Sequence, residues 1–317
     1  MMNLNFLGII LATLILTASA CGQQKEQVYQ PDTLPFALND SLKPLRALVD
    51  SKLQQELVRT LNTNPKWARL INQKKMAIGL VDLRDPYSVK YARVNGNVMM
   101  YAASLPKIAI LLTAEDALEK GELEYTPEVK QDMRIMISRS NNEAATRMMD
   151  RLGFKKIESV LTDPKYDLYD DEFGGGLWVG KRYSKFGERY PEHIKGLSHA
   201  ATVSQVCRFY YMLAFGKLVS FERSKQMLEI MGDPELHHKF VNSLEKIAPK
   251  AKLYRKSGSW QNFHSDSILV WEMNGRKYIL VALIEDPDGE KIIRDLAYTI
   301  EDVLRNYSSS YAEKKIK

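Results

Sequence analysis

The chain has 317 residues, 45% hydrophobic and 26% charged, which excludes disorder throughout and a multi-spanning membrane protein. Its 2 cysteines are too few for a disulfide scaffold or a four-cysteine zinc site, and no metal or other cofactor is expected. The formal net charge is +6, but Lys and Arg fall in ones and twos without a basic block or interleaved aromatics. That pattern reads as solubility and weak attraction to anionic surfaces, not nucleic-acid binding, with Lys314, Lys315 and Lys317 as a solvated tail.

Residues 4–16 are almost all apolar, and Thr17-Ala18-Ser19-Ala20 and then Cys21 follow. A run of about a dozen apolar residues is short for a membrane span and fits a secretory signal. A cysteine directly after small residues resembles a bacterial lipoprotein processing site, which implies cleavage before Cys21 and lipid attachment to it. Ala18 stands where such sites usually hold Leu, and no Lys or Arg precedes the apolar run. The expectation is a signal peptide over 1–20 and an exported protein, periplasmic or at the cell surface, anchored to a membrane through Cys21. Polar residues 21–44 read as a tether.

A helix is expected over 45–61 and a buried strand at Met76-Ala77-Ile78-Gly79-Leu80-Val81-Asp82-Leu83, with Arg84-Asp85-Pro86-Tyr87 as the turn and a second strand over 88–94. Residues 108–118 form a strongly apolar helix stopping at Gly121. Val129, Met133, Met136 and Ile137 mark one face of another helix that Thr126-Pro127 starts. A short helix over 142–152 ends at Gly153, and 162–200 is long, irregular and rich in Gly, Tyr and Asp, the kind of loop that carries function or moves. Thr202-Val203-Ser204-Gln205 is a capping box opening a helix to about Phe215, in which Cys207 is a structural thiol. One or two helices fill the span to Lys246. Strands are expected over 252–259, 265–272 and 277–285, with Asn274-Gly275 as a hairpin turn, and then a helix with Ile293, Ala297, Ile300 and Leu304 on one face. Strands at both ends make one sheet only if the helical middle is an insertion. The expected fold is therefore α+β, one domain over 45–306 with an inserted all-α subdomain and a polar tail over 307–317.

Three short motifs carry chemistry. Ser104-Leu105-Pro106-Lys107 places a hydroxyl and an amine one helical turn apart. Serine is a weak nucleophile until a base takes its proton, and a lysine in a dry pocket at a helix N-terminus has a lowered pKa and can be that base. The same N-terminus offers free N–H groups to an oxyanion. Ser140-Asn141-Asn142 sits in a helix-to-helix link, where a hydroxyl can relay a proton and an amide can hold a substrate carbonyl or fix the lysine. Lys256-Ser257-Gly258-Ser259 lies on a strand, where Gly258 admits another backbone and Lys256 can offer a cation to a carboxylate.

In that order and context the motifs resemble those of the penicillin-recognising serine hydrolases, most closely the class A β-lactamases. The resemblance implies a β-lactamase/transpeptidase-like fold, acyl-serine chemistry at Ser104 with Lys107 and Ser140 as proton carriers, and substrate binding by Asn142, Lys256, Ser257 and Ser259. The implied partner is a β-lactam or a peptidoglycan stem peptide. Alternatives are a D,D-peptidase, an esterase and a non-hydrolytic penicillin-binding lipoprotein. Three departures stand out. The Ser104–Ser140 gap is short, Asn141 replaces an acid, and the deacylating glutamate of the family has no clear match. The nearest carboxylates there are Asp170, Asp171 and Glu172, with no role assigned. Further expectations are that Asp266 braces a strand turn instead of joining His264 in a triad, that His237-His238 is a solvated pair, and that Trp178 and Tyr183 line the groove or anchor packing.

Overall fold

The computed structural model describes residues 33–37, 42–273 and 275–315; the expected signal peptide, Cys21, most of the tether and Asn274 lie outside the described residues. The helix expected over 45–61 is in two pieces. A 3₁₀ turn at Leu45–Leu48 gives way to extended backbone at Val49, and α1 (Ser51–Leu61) starts after Asp50, whose side chain accepts from the N–H of Lys52 and Leu53. α2 (Pro65–Asn72) is additional to the sequence expectation, capped by Asn64 with Pro65 in its first turn. β1 (Met76–Asp82), β2 (Lys90–Val94) and β3 (Met100–Tyr101) lead to α3 (Lys107–Glu119), α4 (Pro127–Ser138) and α5 (Asn142–Leu152). α6 (Phe154–Leu161), also additional, follows at once because Gly153 turns the chain at φ 77. The irregular stretch holds β4 (Tyr169–Asp170), a 3₁₀ turn at Asp171–Phe173, β5 (Gly175–Gly176) and β6 (Trp178–Val179), and β7 (His199–Ala201) closes it. Then come α7 (Val203–Ala214), α8 (Phe221–Met231), α9 (Phe240–Ile247), β8 (Lys252–Trp260), β9 (Phe263–Trp271), β10 (Lys277–Glu285) and α10 (Gly289–Lys315).

Strands from both ends of the chain join in one antiparallel sheet of order β2-β1-β10-β9-β8, and the helical middle is an insertion. The period-two alternation of strand side chains feeds two cores. Ala77, Val81, Ile279, Val281 and Leu283 face α7 and the helical subdomain. Met76, Ile78, Leu80, Leu280 and Ala282 face α1, α9 and α10. Contact with α7 is close enough that a Cβ at Gly79 would lie 2.5 Å from Cys207 Sγ; burial pushes this thiol far up, as a packed structural cysteine requires.

Two ends of the expected domain differ. Phe36, in the presumed tether, is fully buried against Phe215 and Trp271, and its N–H donates to Ala214 O. α10 continues beyond residue 306, and Tyr307 packs into the second core. In both places a single aromatic outweighs the polar character of its neighbours.

α3 is the central helix, buried on every side from Lys107 to Leu118. That placement dries out its polar residues too. Glu115 has both oxygens without a hydrogen-bond partner, with Arg223 Nη1 at ion-pair distance, 3.5 Å, from one of them. Burial raises its pKa from 4.5 to about 8. The fold therefore favours the protonated form, and stability falls as pH rises from the unfolded value towards 8. Glu115→Gln is expected to raise Tm at pH 8 by about 2–4 °C per kcal/mol recovered, and by less at pH 5. Equal Tm shifts at both pH values, measured by calorimetry, would contradict it.

Candidate active site

The turn before α3 is pinned from several sides. Ala103 is held at φ 51, a conformation rare for a residue with a Cβ. Ala102 O accepts from Ser265 Oγ at 2.8 Å, and Ala103 O accepts from Tyr183 Oη at 3.3 Å. Ser104, half-buried, comes next. A Cβ at Gly258 would lie 2.3 Å from Ala102 O and 2.5 Å from Ser104 N, so only glycine lets β8 approach this closely. β8 is the edge strand, so alternate N–H groups point away from the sheet, beside the N–H of Ser104. This is the geometry in which two backbone donors can converge on an oxyanion.

Lys107, the first residue of α3, is fully buried. Its Nζ donates to Ser140 O at 2.7 Å, Asn142 Oδ1 at 2.7 Å and Asn141 O at 3.3 Å, and lies 4.3 Å above the ring of Tyr183. Burial lowers its pKa from 10.5 to about 7, with no carboxylate opposing the shift. Ser140 adopts φ 56 to present both its carbonyl to Lys107 and its hydroxyl to Lys256, whose Nζ is 2.8 Å from Ser140 Oγ. Lys256 differs from the expectation. Its ammonium is buried and also donates to Ser257 O at 2.6 Å, so it faces Ser140 instead of standing open as a carboxylate clamp. Burial, then the nearby Lys107, push it well below its ordinary range.

Lys107, Ser140, Asn142 and Lys256 thus form one hydrogen-bonded chain, with Ser257 and Ser259 on the same strand as Lys256. Asn142 is turned onto the lysine. Asn141, where the resemblance leads one to expect an acid, caps α5 by accepting from Ala144 N–H. The tie between α4 and α5 is made by Asp132 instead, which is buried and paired with Arg147 and Arg151.

Two neighbours join this chain, Lys239, which no local sequence pattern marks, and Tyr183, expected to line the groove or anchor packing. Lys239, next to the expected solvated histidines, is fully buried and donates to Gly258 O at 2.5 Å, Ser259 Oγ at 2.8 Å and Ser265 O at 3.0 Å. Burial lowers it to about 8. Of the pair itself, His237 is exposed and bonded to Glu245, while His238 is half-buried with an unpartnered Nδ1. Tyr183 is half-buried by area, but its hydroxyl end sits in dry surroundings that raise it well above 10. Its ring packs on Lys107 and on His199, whose Nε2 engages Lys181 O and which burial keeps neutral. Trp178 is a packing anchor, its Nε1 bonded to Tyr190 O.

Two acids of the loop, Asp170 and Glu192, are committed elsewhere, and Asp171 and Glu172 are exposed. Asp170 accepts from Glu172 N–H in its own turn. Glu192 is buried and takes the N–H of Ile194, Lys195 and Leu197 and the hydroxyl of Tyr169, which together lower it. Asp266 spends its oxygens on Arg255, Phe240 N and Ser267 N, so it braces the strands and α9 and forms no triad with His264. Among the described residues no cluster of His, Cys, Asp or Glu could hold a metal ion.

The fold, an antiparallel sheet with an inserted helical subdomain, is the β-lactamase/transpeptidase-like class. Residues 126–304 match the model of the "Beta-lactamase enzyme family", and the chain belongs to that family. The structure resembles the β-lactamase of Sphaerobacter thermophilus, with 17% identity over 74% of this chain and 94% of that one at a TM-score of 0.57. PBP-A is similar with 18% identity over 84% and 100% at 0.60, and so is an ancestral class A β-lactamase, with 12% over 75% and 98% at 0.59. At such identities the likeness is one of fold. No curated protein matches the chain in sequence.

Proposed function

We propose that the protein is an exported active-site-serine hydrolase that β-lactams acylate at Ser104. The observation that carries the reading is the chain Lys107–Ser140–Lys256 with both lysines buried, and Lys107 lowered to about 7 beside the Ser104 turn. Neutral Lys107 takes the Ser104 proton as Oγ attacks the carbonyl carbon. The oxyanion gathers at the N–H of Ser104 and of the β8 edge. Ser140 Oγ gives its proton to the leaving nitrogen and regains one through Lys256. Lys239, lowered only to about 8, keeps most of its charge at pH 7, and the acid near it, Asp266, is already paired with Arg255. That field suits a substrate carboxylate, as both β-lactams and stem peptides carry. Support for β-lactam chemistry comes from the family match and from a point mutant of PBP-A of similar fold (18% identity), described as an acyl-enzyme complex with penicillin G.

Acylation by benzylpenicillin, followed by intact mass, tests the reading. Its rate is expected to rise as pH passes about 7, because deprotonation makes Lys107 a base. Lys107→Met is expected to lower the rate by ~10²–10⁴-fold and remove that rise. A pH-independent rate unchanged in the variant would exclude Lys107 as the base.

A second reading, a D,D-peptidase acting on peptidoglycan stem peptides, is favoured by Tyr183 standing on Lys107 with no carboxylate beside it. Release of D-alanine from a muropeptide separates the two. Anchoring through lipid on Cys21 belongs to the same proposal, and Cys21→Ser is expected to move the protein from the membrane to the soluble fraction.

A further inference from the structure

Away from the groove, three arginines meet with little to neutralise them. Arg46 comes from the 3₁₀ turn, Arg93 from β2 and Arg208 from α7, and all three line one cavity of about 40 Å³. Among the described residues none of them is in an ion pair. Each is held by weaker means: Arg46 lies 4.2 Å over the Phe173 ring, Arg208 Nε donates to Tyr166 O at 2.6 Å, and the stem of Arg93 packs over Gly96. Asp167 is the one acid in the lining; burial raises its pKa, and Arg208 and Arg46 beside it oppose that rise, so it offsets one of the three charges. Ser204 and Gln205, from the first turn of α7, also line the cavity, their N–H groups donating to Gly96 O and Thr202 Oγ1.

We propose that this cavity binds one phosphate-type oxyanion. Three guanidiniums against one carboxylate leave about two positive charges, which a phosphate dianion matches, and the guanidinium fork suits phosphate oxygens in pairs. A water needs roughly 10–15 Å³ of such space, so the cavity takes about three waters or the head of one oxyanion, but no ring. The bound group would tie the 3₁₀ turn, β2, α7 and the loop at Asp167 and Phe173 together. The site is independent of the Ser104 chemistry.

Calorimetric titration of the full chain with inorganic phosphate, at constant ionic strength, tests the site. The expected result is saturable 1:1 binding that Arg93→Gln and Arg46→Gln each weaken at least tenfold, while benzylpenicillin labelling of Ser104 is unchanged. Neither side chain bonds a backbone carbonyl, so both variants are expected to fold; an unchanged Tm without phosphate checks this. Acetate and chloride are expected not to compete. Phosphate binding that survives both substitutions, or equal binding of acetate, would overturn the proposal. Vesicles of phosphatidylglycerol, set against phosphatidylcholine, separate the sources. Arginine-dependent binding that free phosphate displaces identifies a lipid headgroup as the occupant, and its absence beside tight phosphate binding identifies a soluble phosphate.

Discussion

Ser104→Ala is expected to abolish covalent labelling by benzylpenicillin, leaving the intact mass of the protein unchanged after incubation. Two other hydroxyls could be imagined as nucleophiles. Ser140 Oγ is held by Lys256, and the Ser140 carbonyl is a principal anchor of Lys107. Ser257 is buried on β8. Ser104 alone follows the strained Ala103 turn, against Gly258, with its own N–H available to the oxyanion. The substitution removes one partly exposed oxygen and leaves Ala103, Tyr183 and Ser265 where they pin the turn, so stability is expected to change by no more than about 0.5 kcal/mol. A Tm within a degree or two of the parent, with no adduct, is the supporting result. Labelling at the parental rate in a folded variant would place the nucleophile elsewhere and end the acyl-serine assignment at Ser104.

What the sequence made legible follows from range. α3, α4, α5 and α7 were readable because apolar spacing and caps are local: Thr126-Pro127 and Thr202 cap as their types dictate. α2 carried a similar signal in Asn64-Pro65, and that signal could have been used. α6 was harder, because Gly153 both ends α5 and begins the next helix. The break at Asp50 likewise hides inside an amphipathic stretch. In the site, motif spacing names Ser104, Lys107, Ser140 and Lys256, and the structure links the last three by hydrogen bonds. Nothing near Lys239 in sequence marks it, and Tyr183 is legible only as a residue that lines the groove or anchors packing. Lys239 reaches the site through its contacts with β8 and β9, and Tyr183 through the ring it lays on Lys107. Phe36 is the same case for the fold, a single apolar residue whose partners lie far along the chain.

The acyl-enzyme is expected to outlast the acylation step by minutes. Hydrolysis of the Ser104 ester needs a water deprotonated by a base poised beside it, and such a base contributes typically ~10²–10⁴-fold. The place beside Lys107 is taken by Tyr183, whose hydroxyl is neutral and already bonded to Ala103 O. Glu192 is saturated by three backbone N–H groups and Tyr169, and its lowered pKa makes it a poor base even if water reached it. Asp170 caps its own turn, and no carboxylate affects the pKa of Lys107. Among the described residues that leaves Lys107 itself as the candidate base. It must shed the proton it took from Ser104, and its Nζ is then still directed at Ser140 O and Asn142 Oδ1. Incubation with benzylpenicillin should therefore give a mass equal to protein plus the intact opened lactam, visible after minutes and decaying faster as pH rises above about 7. Tyr183→Glu places a carboxylate over the lysine and is expected to shorten that lifetime by one to two orders of magnitude, roughly the lower range of general-base help. Many-fold turnover of penicillin by the unaltered protein, with no adduct seen at any pH, would mean that one of the loop acids leaves its present partners and reaches the groove. Asp170 and Glu192 would then be the first two to replace, by Asn and Gln, in search of the base.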